Sequence, residues 1–453
     1  MITAIKWNNH SILGNLELNF TKKDGTAYET IIFAGENGSG KTTILETIST
    51  FLNLETIEPF KYIKYSINNT EYEIQPLKPH ENLGLHIRKN LSDNSSKEVR
   101  TNRNNNPNLI TKDLEDIRHY GVVYSKARSD FNTAKIDSTR TSKLDDQTYE
   151  IDQNNNFTSI KQLLVDLYMQ DCVQTSRAVK EKHGLSESDY NNIENSSNIS
   201  RFKKAFNTFF DKIQFDGVDP KHKNGFEILF QKNDKKISID DLSTGEKQII
   251  FRGSMLLKNL NKLENAHVFI DEPELSMHPK WQQKILKFYQ NLFVENGNQK
   301  VQMFFATHSE NVIEAAIQNK EDTLIVVLNE NCGVIEATYI TDALVLPTIT
   351  ASEINYIAFQ IPSVDLHAQL YAYLQSKTGN DKVLSCDKYI EQQAIYNPSI
   401  HYKLYTATIG KKTVSYNTLP TYIRNFIDHP DAMHNYTNEE LEISIQLLRE
   451  LCK

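Results

Sequence analysis

Apolar residues along this chain follow two rhythms, and the changes of rhythm outline its elements. Ile2 to Trp7 and the alternating Leu16-Glu17-Leu18-Asn19-Phe20 predict strands, followed by a turn at Lys22-Lys23-Asp24-Gly25 and a continuous buried-type run, Thr30 to Ala34. After Thr43 the period lengthens, and Ile44, Leu45, Ile48, Phe51 and Leu52 share one helical face. Tyr62 to Ile74 predicts a hairpin around Asn68-Asn69. Asn90 to Asn108 is too polar and asparagine-rich to order itself well and predicts a solvated loop; the basic Arg88, Lys89, Lys97, Arg100 and Arg103, in and just before it, are candidate phosphate contacts or ordinary solvated charges, with Asp93 and Glu98 interspersed and no stacking aromatics. Gly121 to Tyr124 predicts a short strand, with Arg128 just past its end as a candidate phosphate contact or an ordinary surface arginine. Residues 159 to 213 read as helical, from a capping pattern at Ser159 and Gln162 to an apolar face of Phe202, Phe206, Phe209, Phe210 and Ile213. Gly184 and the Asn191 to Asn198 cluster interrupt them too often for a long coiled coil, so they predict a compact helical lobe.

Strands return at Gly225 to Phe230 and Lys236 to Ile239, a hairpin around Asn233-Asp234, then at Ala266 to Ile270, Gln302 to Ala306 and Asp322 to Leu328. A helix carrying Ile249, Ile250, Gly253, Leu256, Leu257 and Leu260 lies among them. Ser352 to Ala358 and Asp365 to Gln375 predict helices, and a last one starts near Thr437 with Glu440 in capping-box register.

Candidate chemistry sits where strands stop. Gly35-Glu36-Asn37-Gly38-Ser39-Gly40-Lys41-Thr42-Thr43 joins a predicted strand to a predicted helix, the setting of a phosphate-binding loop. Its glycines let successive N–H groups of Asn37, Gly38, Ser39, Gly40 and Thr43 turn inward, and the helix dipole adds to the same spot. Lys41 then reaches the β and γ phosphates of a nucleotide, and Thr42 holds Mg²⁺ through its hydroxyl. Leu242-Ser243-Thr244-Gly245-Glu246 opens another helix and offers a hydroxyl and a close backbone approach to a second phosphate contact, or simply a helix cap. Asp271 and Glu272 end an apolar strand, where they can hold Mg²⁺ and polarise an attacking water, or merely cap the strand. His308 ends another strand, as a reader of the γ phosphate or as a surface histidine.

The order of phosphate loop, S-x-G-E, Asp271-Glu272-Pro273-Glu274 and Thr307-His308-Ser309 resembles the ATP-binding cassette (ABC) ATPases of the SMC, RecF and OLD type, in which ATP is sandwiched between two heads. The resemblance covers about residues 1 to 60 and 225 to 330. It implies ATP and Mg²⁺ as cofactors, Lys41, Glu272 and His308 as catalytic residues, Thr42 and Asp271 as metal holders, and Ser243 and Gly245 contacting ATP held by a partner copy. ATP-dependent homodimers or larger homo-oligomers follow from it. Thr244 and Glu246 depart from the transporter signature toward the non-transporter branch, and the glutamine such ATPases place before the helical lobe has two candidates, Gln75 and Gln153.

The resemblance implies an α/β fold: an ABC ATPase head (P-loop NTPase) at residues 1–60 and 220–345, an insertion at 61–219 made of a partly disordered loop and a helical lobe, and a small, mostly helical C-terminal domain at 346–453. This plan most resembles the ATPase subunits of bacterial anti-phage systems of the Septu type, which work with a separate HNH nuclease. OLD nucleases place a metal-binding TOPRIM domain after the cassette, with an early glutamate and a later Asp-x-Asp; that pairing is not found in this sequence. One further motif, Arg424-Asn425 with His429, resembles the HEPN ribonuclease signature of anticodon nucleases; equally, Arg424 can pair with Asp428 one turn on and His429-Pro430 can end a helix.

Three functions remain open: a defence ATPase that scaffolds a partner nuclease, a self-contained ATP-gated ribonuclease acting through Arg424 and His429, and a RecF-like DNA-repair ATPase. Nucleic acid, DNA or tRNA, is a candidate partner in each. The formal charge of −8 over 453 residues excludes a wholly basic nucleic-acid coat but permits a local patch. Four scattered cysteines, Cys172, Cys332, Cys386 and Cys452, lack metal-ligand spacing and read as reduced thiols. With no apolar run approaching a membrane span and too few apolar residues in Met1 to Trp7 for a signal peptide, the expected location is cytoplasmic.

Overall fold

The computed structural model describes residues 1–77, 84–103, 111–127, 149–151, 157–181, 186–189, 198–222, 225–257, 265–295, 298–319, 321–409, 412–431 and 433–453. They form two compact units, Met1–Thr338 and Tyr339–Lys453.

The first unit is built on a seven-stranded sheet. The strands in chain order are β1 (Ile2–Trp7), β2 (Glu17–Asn19), β3 (Thr30–Ala34), β4 (Phe60–Ile67), β5 (Thr70–Pro76), β6 (Leu85–Asn90), β7 (Ser96–Arg100), β8 (Val122–Ser125), β9 (Tyr149–Ile151), β10 (Ile213–His222), β11 (Gly225–Lys232), β12 (Lys235–Ser238), β13 (His267–Asp271), a short pair β14 (Val294–Glu295) and β15 (Asn298–Gln299), β16 (Gln302–Thr307), β17 (Thr323–Asn331) and β18 (Val334–Tyr339). The main sheet runs β18-β17-β3-β16-β13-β8-β9, and every pair from β17 to β9 is parallel. A parallel sheet is covered on both faces, which is why its strands are unbroken apolar runs rather than alternating ones. All residues of β3, β13 and β16 are buried. Phe33, Phe304 and Phe269 stack across these three neighbours, with ring centroids 6.5 and 4.9 Å apart. Register pairs Ala34 with Thr307 and Ala306 with Asp271, so the three strands finish together along one edge. Gly35, His308 and Glu272 follow at once, at the carboxyl ends where open α/β sheets bind ligands. The α/β P-loop head expected from the sequence is therefore present.

A second, antiparallel sheet runs β2-β1-β4-β5-β6-β7. The hairpin around Asn68-Asn69 forms with both residues at positive φ, 50° and 63°, as a two-residue turn of the favoured twist requires. Asn233 and Asp234, at 47° and 63°, make the same turn between β11 and β12. The polar stretch expected as a solvated loop is different: β7 pairs with β6 from Leu85–Arg100 to Lys89–Ser96. Backbone ladder bonds hold such a strand whatever its side-chain polarity, and Arg88, a candidate phosphate contact, is buried in ion pairs with Asp113 and Glu115. Strands β4 to β7, which apart from Phe60 fall in the stretch read from sequence as the start of an insertion at 61–219, thus extend the sheet that begins with β1. Residues 104–110 and Arg128 lie outside the described residues.

The helices Phe157–Glu181 and Asn198–Phe209 form a lobe, the first beginning two residues before the expected cap at Ser159. Its phenylalanine face closes on other elements: Phe206 meets Phe230 of β11, and Phe209 and Phe210 meet Trp281 of the helix Pro279–Leu292.

The second unit contains the helices Ala351–Phe359, Val364–Thr378, Val383–Glu391, Pro398–His401, Leu419–Asp428 and Asn438–Cys452, packed over Leu366, Leu370, Leu374, Ile423, Ile445 and Leu448. The capping box of Thr437 and Glu440 opens the last of them. A hairpin of Tyr402–Ile409 and Lys412–Thr418 was not anticipated, because threonines and serines dilute its alternation. Among the described residues, no helix is long and apolar enough to cross a membrane.

Candidate active site

The phosphate loop is shaped by what it packs against. Gly35 has φ 152°, and a Cβ there would lie 2.3 Å from the carbonyl oxygen of Leu328, so only glycine lets the loop leave β3 beside β17. The helix Lys41–Leu52 follows with Gly40 at its N-cap and no side chain capping it, which leaves its first N–H groups for an anion. Glu36, Asn37 and Gly38 are exposed on the loop, while Ser39 and Gly40 are buried. Lys41 is buried and folds back on the loop: Nζ donates to the carbonyl oxygens of Gly35 (2.8 Å) and Glu36 (2.7 Å) and to Ser39 Oγ (3.3 Å). Burial pulls its pKa down to about 8 against the pull of Asp271, Glu272 and Glu274, so a bound phosphate would be a strong partner for this ammonium.

Thr42 Oγ1 donates to Asp271 Oδ2 at 3.0 Å, joining the start of the helix to the end of β13. Burial pushes the Asp271 carboxyl up to about 6; the Thr42 hydroxyl opposes this and Glu272 adds to it. A hydroxyl and a partly uncompensated carboxylate in contact fit a hard divalent cation, and Mg²⁺ would be held by these two residues and neutralise charge on the β and γ phosphates.

Glu272 turns sharply out of β13 with φ 45°, a left-handed conformation strained for a residue with a Cβ. Its amide donates to the carbonyl of Ala306 (2.9 Å) and its carboxylate lies 3.5 Å from His308 Nε2. The His308 pKa is lowered, by burial first and then by the Lys41 charge, with Glu272 and the Gly35 backbone opposing; the imidazole is neutral near pH 7. Glu36, Asn37, Glu272, Glu274, Leu275 and His308 line an open cleft of about 630 Å³. Lys41, Thr42, Asp271, Glu272 and His308 therefore meet around one place.

Ser243 and Gly245 do not line that cleft. Ser243 is exposed and caps the helix Thr244–Leu257: its amide donates to Glu246 Oε2 (2.8 Å), and its Oγ accepts from the Glu246 amide (3.4 Å). Gly245 is buried against the turn after β13, where a Cβ would come within 2.8 Å of the Ser276 carbonyl oxygen and 3.3 Å of Trp281. Burial pushes the Glu246 carboxyl up, but Lys232 at 2.8 Å and the Ser243 contacts outweigh it and its net pKa is lowered.

One residue at the site carries no local sequence signal. Arg252, buried on the helix Thr244–Leu257, donates to the carbonyl oxygens of Asp271 (2.9 Å), Glu272 (3.0 Å) and Lys126 (2.8 Å). It clamps the strained Glu272 turn to the end of β8. Arg252→Ala would strand these carbonyls and open a cavity, an expected loss of about 2–4 kcal/mol, with Arg252→Lys recovering only part because one ammonium cannot span the fork. Thermal melts of the two variants check this.

Of the other candidates, Gln75 lies exposed in β5 with its amide donating to Glu73, and Gln153 is outside the described residues. Arg424 pairs with Asp428 at 2.7 Å and donates to Asn425 Oδ1 at 2.9 Å; His429 is exposed at the end of the helix Leu419–Asp428, its amide bonded to the Asn425 carbonyl. No hydrogen bond joins the Arg424 and His429 side chains among the described residues.

The sequence shows kinship beyond these motifs. It is 26% identical to "Retron Vc95 probable ATPase" of Vibrio cholerae serotype O1 biovar El Tor, the match covering 68% of this chain and 71% of that protein. It is 22% identical to "Septu protein PtuA" of Bacillus thuringiensis, over 71% of this chain and 74% of that one. Among solved structures, the SMC head bound to the C-terminal winged-helix domain of ScpA matches 75% of this chain and 98% of its own at 13% identity, with a TM-score of 0.40. A family model matches residues 31–314, from the phosphate-loop strand to beyond His308. With its P-loop head and its relationship to PtuA, this ABC-type ATPase chain belongs to the family described as "AAA domain, putative AbiEii toxin, Type IV TA system".

Proposed function

We propose that this chain is the ATP-binding and hydrolysing subunit of a bacterial anti-phage defence complex, whose heads dimerise around ATP, or assemble further, to scaffold and regulate a separate HNH-type nuclease. One observation carries the reading. Glu272 and His308 line the cleft and Lys41, Thr42 and Asp271 adjoin them, while the exposed signature serine, Ser243, caps its own helix and makes no contact with this group among the described residues, as half-sites completed by a second copy require. Two relatives named as a retron ATPase and as PtuA support the defence role.

In this reading residues 1–60 and 220–345 supply the head, Glu272 accepts the proton of the attacking water, the water oxygen bonds to the γ phosphorus, and the bond to the bridging oxygen breaks to release ADP. The engagement of Arg424 with Asp428 supports placing the nuclease in another chain. Two measurements on the purified chain test this. Light scattering should show mass doubling or more on adding ATP and Mg²⁺. Incubation with tRNA or plasmid DNA should leave both intact; RNA cleavage abolished by His429→Ala would make the chain its own ribonuclease.

A further inference from the structure

Glu274 has no role in the chemistry above, yet it is a buried carboxyl held in place at the site. Only 9% exposed, it lines the cleft. Its Oε1 accepts two hydrogen bonds from the end of β16, from Thr307 Oγ1 and from the His308 amide, both at 2.8 Å. Its Oε2 is buried and has no hydrogen-bond partner among the described residues. A buried carboxylate with one bare oxygen is poorly compensated, so the neutral acid suits this position better. Burial raises the Glu274 pKa, the Thr307 and His308 donors oppose, and Glu272 raises it further.

The backbone explains what these bonds do. Strands β13 and β16 stay paired to Asp271 and Ala306, and the Glu272 amide makes the last bond to the Ala306 carbonyl. Beyond that β13 no longer pairs with β16, which stays paired to β3 only as far as Thr307 and Ala34, and His308 lies one residue past that last pair. Glu274 ties the separated ends together on one side of the His308 peptide. On the other side Gln282 Oε1 accepts from Ser309 Oγ (2.7 Å) and Asn311 Nδ2 (3.1 Å). The imidazole itself meets Glu272 at 3.5 Å and the Gly35 backbone, and both contacts require the peptide that carries the ring to be held in place.

We propose that Glu274 is a positioning residue for ATP hydrolysis: through Oε1 it fixes the Thr307–His308 peptide, aims His308 at the γ-phosphate end of the cleft beside Glu272, and does so as a hydrogen-bond acceptor rather than as a charge. This rests on the reading of the cleft as an ATPase site with His308 at the γ phosphate.

The test is steady-state ATP hydrolysis by Glu274→Ala, Glu274→Gln, His308→Ala and the Glu274→Ala/His308→Ala double variant, with binding of a fluorescent ATP analogue measured alongside. Glu274→Ala should lower kcat about ten- to hundredfold with KM changed less than about threefold. Glu274→Gln keeps an acceptor oxygen in place without charge and should retain kcat within about threefold. The double variant should be no slower than His308→Ala, because the two residues act as one unit. Wild-type kcat in Glu274→Ala, or additive losses in the double variant, would overturn the proposal. So would a Glu274→Gln chain that binds the analogue but is as slow as a chain without His308, a comparison that holds even where Glu274→Ala does not fold. A wild-type chain that binds the analogue and releases no phosphate overturns the ATPase reading itself, and this inference with it.

Discussion

The Glu272→Gln chain is expected to bind ATP normally and to hydrolyse it about 10²–10⁴ times more slowly. Strand β13 delivers Glu272 to the cleft, and the turn that aims it is held by the Ala306 carbonyl on one side and by Arg252 on the other. Glutamine preserves these backbone contacts and nearly the same shape. It cannot accept the proton of the attacking water. Phosphate release should therefore collapse while analogue binding stays, and the ATP-bound dimer, no longer dismantled by turnover, should persist in light scattering. Hydrolysis within about tenfold of wild type would assign the base to another group.

A pair of inactive variants should restore activity when combined. Lys41→Ala removes the ammonium from the phosphate loop, and Ser243→Arg places a bulky cation where the signature serine would meet the partner's nucleotide. Ser243 is exposed, so the arginine fits the fold, with a cap loss of about 1 kcal/mol. Each variant alone should be inactive. In a mixed dimer, the Ser243→Arg copy supplies an intact phosphate loop and the Lys41→Ala copy an intact signature. Half of randomly assembled dimers are mixed and each has one working site of two, so co-expression should recover roughly a quarter of wild-type activity. Folded, associated variants that recover nothing would mean that the site is complete within one chain.

How much of this was legible beforehand follows from the range over which each feature is decided. The hairpin at Asn68-Asn69 is written in residues that tolerate positive φ, and the buried runs of β3, β13 and β16 in uninterrupted apolar residues. Arg424 resembled a ribonuclease motif, but Asp428 lies one helical turn away, and that local pairing is what the structure contains. Strand β7 was missed because a ladder of backbone bonds needs no apolar side chains to declare itself.

The sequence by itself determined the phosphate loop, the strand ends bearing Asp271, Glu272 and His308, and the α/β class, because glycine conformation, strand burial and helix initiation are settled by neighbours a few residues apart. Only the tertiary structure decided what supports that chemistry. Arg252 reaches Lys126 and Glu272, and Glu274 reaches Thr307 and His308, across sheet neighbours that are distant in the chain. Such contacts exist only once parallel strands have been placed side by side, and strand order leaves no periodic trace in the residues that will meet.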